Sequence, residues 1–114
     1  MLIKDIKEIL DAKVYCGEDF LEAEVHSACG ADLMSDVLAF VKEQSVLLTG
    51  LVNPQVVRTA YMMDMRCIVF VRGKIPDAQT IALAEKKDIV VMSTEHRMYV
   101  ACGKLYTSGL VGIE

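Results

Sequence analysis

The chain has no tryptophan, two prolines and no dense run of positive charge. Without clustered Lys and Arg it lacks the electrostatic footprint of a nucleic-acid-binding domain, so nucleic acid is not an expected partner. No apolar stretch reaches the roughly 20 residues of a bilayer-spanning helix, and no membrane association is expected. The N-terminus, Met1-Leu2-Ile3-Lys4-Asp5-Ile6-Lys7-Glu8, is amphipathic and carries acids, unlike a secretory signal, so the expected location is the cytoplasm. The cysteines Cys16, Cys29, Cys67 and Cys102 form no CxxC pair, and Cys16, His26 and Cys29 do not have a recognised zinc spacing. They are expected to be small buried hydrophobes in a reducing compartment, with no metal and no cofactor. Neither GxGxxG nor GxxxxGK[ST] is present, which removes the two commonest glycine-rich phosphate cradles. No Ser or Cys stands at a known spacing from His26 or His96, so no nucleophile–base pair is visible and the chain is not expected to be an enzyme.

What is abundant is hydrophobicity. Apolar residues make up 54% of the 114 residues, and mean hydropathy is +0.37. That richness fits one domain (residues 1–114) built on a sheet buried on both faces, with an apolar surface that a second copy or another protein could cover. Net charge is −4 and unevenly spread: residues 1–45 hold four Lys/Arg against ten Asp/Glu, and residues 46–114 hold eight against six.

Three strand-like runs recur at one spacing: Val46-Leu47-Leu48-Thr49, Cys67-Ile68-Val69-Phe70-Val71 and Ile89-Val90-Val91-Met92. Val46, Ile68 and Val90 are 22 residues apart. A helical pattern follows each run. Continuous apolar strands alternating with helices point to an α/β fold, three layers deep, whose mainly parallel sheet is built from β-α repeats.

The remaining elements follow from local signals. Residues 2–12 read as a helix with Leu2, Ile6, Ile9 and Leu10 on one side. Val14-Tyr15-Cys16 is a short strand ending at Gly17, and Val25 to Cys29 another ending at Gly30; Glu18 to Glu24 is ambiguous. Asp32 is expected to cap a helix reaching Lys42, with Leu33, Val37, Phe40 and Val41 on one face. Asn53-Pro54 pairs a favoured N-cap with a favoured first helical residue, ahead of a buried face of Val56, Val57, Ala60 and Met63. Asp77 should cap a helix holding Ala78, Ile81 and Ala82. Thr94 should cap the last helix, with Glu95 at the positive end of its dipole, Met98, Cys102 and Leu105 along it, and Gly103 interrupting or ending it.

In an open parallel sheet, ligands bind beyond the carboxyl ends of the strands. The loops there, Thr49–Asn53, Arg72–Lys74 and Ser93–Glu95, hold hydroxyls, an amide, two cations and two glycines. Helix N-termini favour anions. The expected ligand is therefore a small anion such as a nucleotide, lined by Thr49, Gly50, Asn53, Arg72, Gly73 and Thr94. Backbone N–H groups of Gly50 and Gly73 would hold phosphate oxygens, Arg72 would neutralise charge, and Asn53 would orient the ligand.

Ala31-Asp32-Leu33-Met34-Ser35-Asp36-Val37-Leu38, Leu48-Thr49-Gly50, Asn53 to Ala60, Ile68 to Pro76, Ile89 to Ser93 and Ala101-Cys102-Gly103 together give the stretch Gly30–Leu110 a pattern that resembles the DRTGG-domain family. The resemblance implies a three-layer α/β/α fold and a regulatory or assembly module rather than an enzyme. Such modules occur beside catalytic domains, including HPr kinase/phosphorylase, some phosphotransacetylases and CBS-containing pyrophosphatases, where they form a dimer contact next to adenine-nucleotide sites. The eponymous motif is altered here: Leu51-Val52 stands where Asp-Arg usually follows Thr49-Gly50, and Val71-Arg72-Gly73 replaces Thr-Gly-Gly. The expectation is a stand-alone, homodimeric regulatory module for a small anionic ligand such as an adenine nucleotide. The alternative is a protein–protein interaction or dimerisation adaptor without a ligand of its own.

Overall fold

The computed structural model describes residues 1–40 and 44–112, with the Phe40 side chain excluded. Ten regular elements alternate along it: α1 (Ile3–Leu10), β1 (Lys13–Cys16), β2 (Ser27–Gly30), α2 (Met34–Phe40), β3 (Ser45–Thr49), α3 (Pro54–Met62), β4 (Cys67–Phe70), α4 (Ala78–Lys86), β5 (Val90–Ser93) and α5 (Met98–Thr107). A short 3₁₀ turn, Glu18–Phe20, occupies the segment whose pattern was ambiguous. The predicted end of α2 at Lys42, with Val41, lies outside the described residues.

The five strands form one sheet in the order β1-β5-β4-β3-β2. β2, β3, β4 and β5 run parallel, and β1 pairs with β5 antiparallel. The repeat in the sequence explains the centre of this sheet. Every residue of β3, β4 and β5 is buried, as both-face coverage demands of a parallel strand. The edge strands β1 and β2 are only partly buried, and their sequence signal is correspondingly weaker.

Strand alternation divides the core into two layers. Val46, Leu48, Val69, Val71, Val90 and Met92 pack with Ile3, Ile6 and Leu10 of α1 and Ala101 and Leu105 of α5. On the other face, Leu47, Ile68, Phe70 and Val91 pack with Val37 of α2, Val56, Val57 and Ala60 of α3, and Ala84 of α4. The result is the expected three-layer α/β/α arrangement. Among the described residues, no helix is long and apolar enough to cross a membrane.

Helix starts follow the capping signals where the cap is local. The Asn53 carboxamide oxygen accepts from Val56 N–H at 3.3 Å ahead of Pro54, and Asp77 accepts from Thr80 N–H at 2.8 Å. Three expectations are corrected. α2 begins at Met34, and the Asp32 carboxylate bonds across the sheet end instead of capping it. α5 begins at Met98 without a side-chain cap and runs through Gly103 to Thr107. Leu33 is 61% exposed, outside the buried face assigned to it.

Candidate functional site

The chain leaves β4 and β5 toward opposite faces: α4 packs in one layer and α5 in the other. Such a split at the carboxyl ends of adjacent parallel strands is where open α/β sheets form ligand crevices. The segments after β3, β4 and β5 meet along this edge.

At the end of β3, Thr49 is fully buried. Its hydroxyl donates to Asp32 Oδ1 at 3.2 Å and accepts from Leu51 N–H at 3.1 Å. Gly50 N–H donates to the same Asp32 oxygen at 2.7 Å. After β4, Arg72 and Gly73 both have left-handed backbones, φ 61° and 68°. The Arg72 N–H donates to the His96 carbonyl at 2.8 Å, and the Gly73 N–H to the Thr94 carbonyl at 2.9 Å. These two bonds tie the β4 loop to the β5 loop and fix the unusual turn.

The turn sends the Arg72 side chain back over the end of β3. A Cβ added at Gly50 would lie 2.6 Å from Arg72 Nη2, so glycine is what allows the guanidinium to lie against the backbone there. A Cβ at Gly73 would lie 2.7 Å from Glu95 Oε2. Arg72 is exposed and takes part in no ion pair among the described residues. Thr94 is 2% exposed. Its hydroxyl donates to the Leu10 carbonyl at 2.7 Å and accepts from His96 N–H at 3.3 Å.

The six residues read from the sequence thus fall into distinct places. Thr49, Gly50 and Arg72 come together at the end of β3. Gly73 and Thr94 sit side by side between β4 and β5. Asn53 lies at the start of α3, its carboxamide oxygen engaged in the cap. The N–H groups of Gly50 and Gly73, expected to face a ligand, already donate within the chain. Two acids also reach this edge, Asp32 with the residue chemistry of a helix cap and Glu95 with that of a dipole partner. Their available signal is position, since each lies two residues beyond a strand that ends at the same sheet edge.

Beside the edge, Asp11, Lys13, Tyr15, Gly73, Ser93 and Glu95 line a cleft of about 290 Å³. Larger hollows, about 770 Å³ along α4 and about 710 Å³ between β2 and α5, are open grooves on helix flanks. Of these hollows, the smaller cleft is the one that reaches the carboxyl ends of β4 and β5, through Gly73 and Ser93. Among the described residues, no three His, Cys, Asp or Glu side chains converge as a metal set. Burial pushes the thiols of Cys16, Cys29, Cys67 and Cys102 upward, which is the reverse of nucleophile activation. Asp77 is held below the usual carboxylate range, chiefly by the Thr80 N–H it accepts.

The fold is similar to that of the CBS and DRTGG domains of the regulatory region of Clostridium perfringens pyrophosphatase, a structure complexed with its activator diadenosine tetraphosphate. The TM-score is 0.74 at 19% identity, covering 94% of this chain and 46% of that chain. This chain therefore spans about half the length of that neighbour, and at such identity the likeness establishes the fold. No curated protein matches the chain in sequence. The DRTGG domain model matches residues 5–107, nearly the whole chain, and the chain belongs to the DRTGG domain family.

Proposed function

We propose that this domain is a non-catalytic regulatory module that senses a small anionic ligand, an adenine nucleotide in the first instance, at the carboxyl edge of β3–β5. The observation that carries this reading is the Arg72 guanidinium, unpaired with any acid among the described residues and lying against Gly50 at a strand end. Arg72 neutralises ligand charge, and Thr49, Gly50, Gly73 and Thr94 form the floor and walls. Asn53, whose oxygen caps α3, offers its NH₂ group to orient the ligand. The structural likeness to a regulatory region solved with diadenosine tetraphosphate supports a nucleotide. The raised thiols of the four cysteines argue against a cysteine nucleophile in this domain. Four free cysteines favour a reducing, cytoplasmic setting. The test is thermal unfolding against AMP, ATP and diadenosine tetraphosphate, with Arg72→Ala as the control. A flat response in folded protein overturns the reading.

A second reading, a homodimeric or heteromeric adaptor without its own ligand, is favoured by the surface of α5. Tyr99 is 90% exposed, Tyr106 64% and Val100 46%. Gly103 between them has nothing near the position of an added Cβ, which leaves room for a close-packed partner. Sedimentation of the unaltered chain and of Tyr99→Glu tests it: a dimer that the substitution dissociates supports the adaptor, and a monomer that captures no partner counts against it.

A further inference from the structure

A carboxylate of the chain itself sits where an oxyanion of the proposed ligand would bind. Gly50 N–H at 2.7 Å and the Thr49 hydroxyl at 3.2 Å converge on one oxygen of Asp32. The Thr49 oxygen accepts the N–H of Leu51 at 3.1 Å, which orients its proton toward Asp32. This is a seat for a single negatively charged oxygen, with the Arg72 guanidinium lying against the same Gly50. Yet Arg72 and Asp32 form no ion pair, so the seat holds one negative charge while its strongest cation is unpaired among the described residues.

Asp32 is well placed to leave. It is exposed, in the short segment between β2 and α2. That segment is held independently by Ala31 N–H donating to the Leu48 carbonyl at 3.0 Å. Turning the carboxylate into water therefore breaks two hydrogen bonds and leaves the backbone in place. A ligand oxygen arriving at Gly50 replaces those bonds one for one.

We infer that Asp32 is an internal competitor that restricts this edge to polyphosphate ligands. The inference rests on the reading of the edge as an anion site. Replacing one carboxylate by a monoanion is an even exchange and gains nothing. A polyphosphate exchanges one oxygen at Gly50 and places further charge against Arg72, and that surplus drives the exchange. Asp32 thus sets specificity by competition rather than by contact with the bound ligand.

The experiment is calorimetric titration of the full chain with inorganic tripolyphosphate and with inorganic phosphate. It compares the unaltered protein, Asp32→Asn, Asp32→Ala and the double variant Asp32→Asn/Arg72→Ala. The asparagine variant retains an oxygen acceptor for Gly50 and Thr49, so it remains informative should the alanine variant fail to fold. Removing one like charge a few ångströms from the ligand should tighten tripolyphosphate binding roughly tenfold in both single variants. Binding of inorganic phosphate should become measurable, and adding Arg72→Ala should abolish the gain. If the unaltered chain binds tripolyphosphate and the Asp32 variants bind it equally or more weakly, the inference fails while the anion site stands. If no form binds either probe, both fail.

Discussion

The hydroxyl of Thr94 donates to the carbonyl of Leu10 across 84 residues of sequence, at 2.7 Å in a buried setting. This bond joins the end of β5 to the end of α1, and the same oxygen receives the N–H of His96. Thr94 therefore fixes the backbone that in turn binds Arg72 and Gly73. Thr94→Val keeps the shape and leaves the Leu10 carbonyl without its donor. The expected loss is about 1–3 kcal/mol, read as a lower urea midpoint with an unchanged slope. An unchanged midpoint would show that the tie contributes nothing.

Two glycines should respond very differently. At Gly17, φ is 84° and an added Cβ meets the Val90 Cα at 2.7 Å, so neither backbone can yield cheaply. Gly17→Ala should cost about 2–4 kcal/mol in chemical unfolding. At Gly50 the obstacle is the free end of the exposed Arg72 side chain. Gly50→Ala should change stability by less than about 1 kcal/mol, while displacing the guanidinium and weakening nucleotide binding. Equal destabilisation by the two substitutions would contradict this account of Gly50.

Asn53→Ala removes the acceptor for Val56 N–H and should cost about 1 kcal/mol by thermal or urea unfolding. This is a part of the fold that could be read directly from residue types. Asn53-Pro54 and Asp77 act within one turn of their own helix, and a local signal suffices. The three central strands were equally legible, because burial on both faces makes their middles continuously apolar and leaves polar residues only at strand ends, Ser45, Thr49 and Ser93. Elsewhere the outcome depends on tertiary neighbours. Asp32 carries the chemistry of a cap, but the parallel pairing of β2 with β3 brings it beside the end of β3, where Gly50 N–H takes its carboxylate. Gly103 carries the chemistry of a helix end. Its cost, about 1 kcal/mol in a helix interior, is outweighed by the burial of Ala101 and Leu105 on either side. At the candidate site, strand order alone brings Thr49, Gly50 and Arg72 to one edge, as the β-α repeat implies. What residue types do not reveal is that the chain satisfies the N–H groups of Gly50 and Gly73 itself, since those bonds join segments far apart in sequence.

Alkaline conditions should destabilise the domain. Cys67 lies on the central strand β4, fully buried, and burial drives its thiol far upward, with the neighbouring Cys16 adding to the effect. Above the ordinary thiol value of about 8.5, the unfolded chain releases a proton that the folded chain retains. Stability is therefore fully present below that value and falls as pH rises, by about 1.4 kcal/mol per pH unit from Cys67 alone. Urea unfolding at pH 7.5 and 9.5 checks this. The fall should shrink in Cys67→Ala, whatever that variant's lower baseline stability, and a fall of equal size in both proteins would assign the effect elsewhere.

The claim on which the functional account turns is that Arg72 receives an anion at the strand edge. Thermal unfolding of the unaltered chain and of Arg72→Ala with diadenosine tetraphosphate tests it most directly. At a hundredfold excess over the dissociation constant, binding should add about 2.7 kcal/mol to stability. That should raise the midpoint by several degrees in the unaltered chain and leave Arg72→Ala unmoved. A midpoint that stays fixed in the unaltered, folded protein, or rises equally in both, would contradict the account.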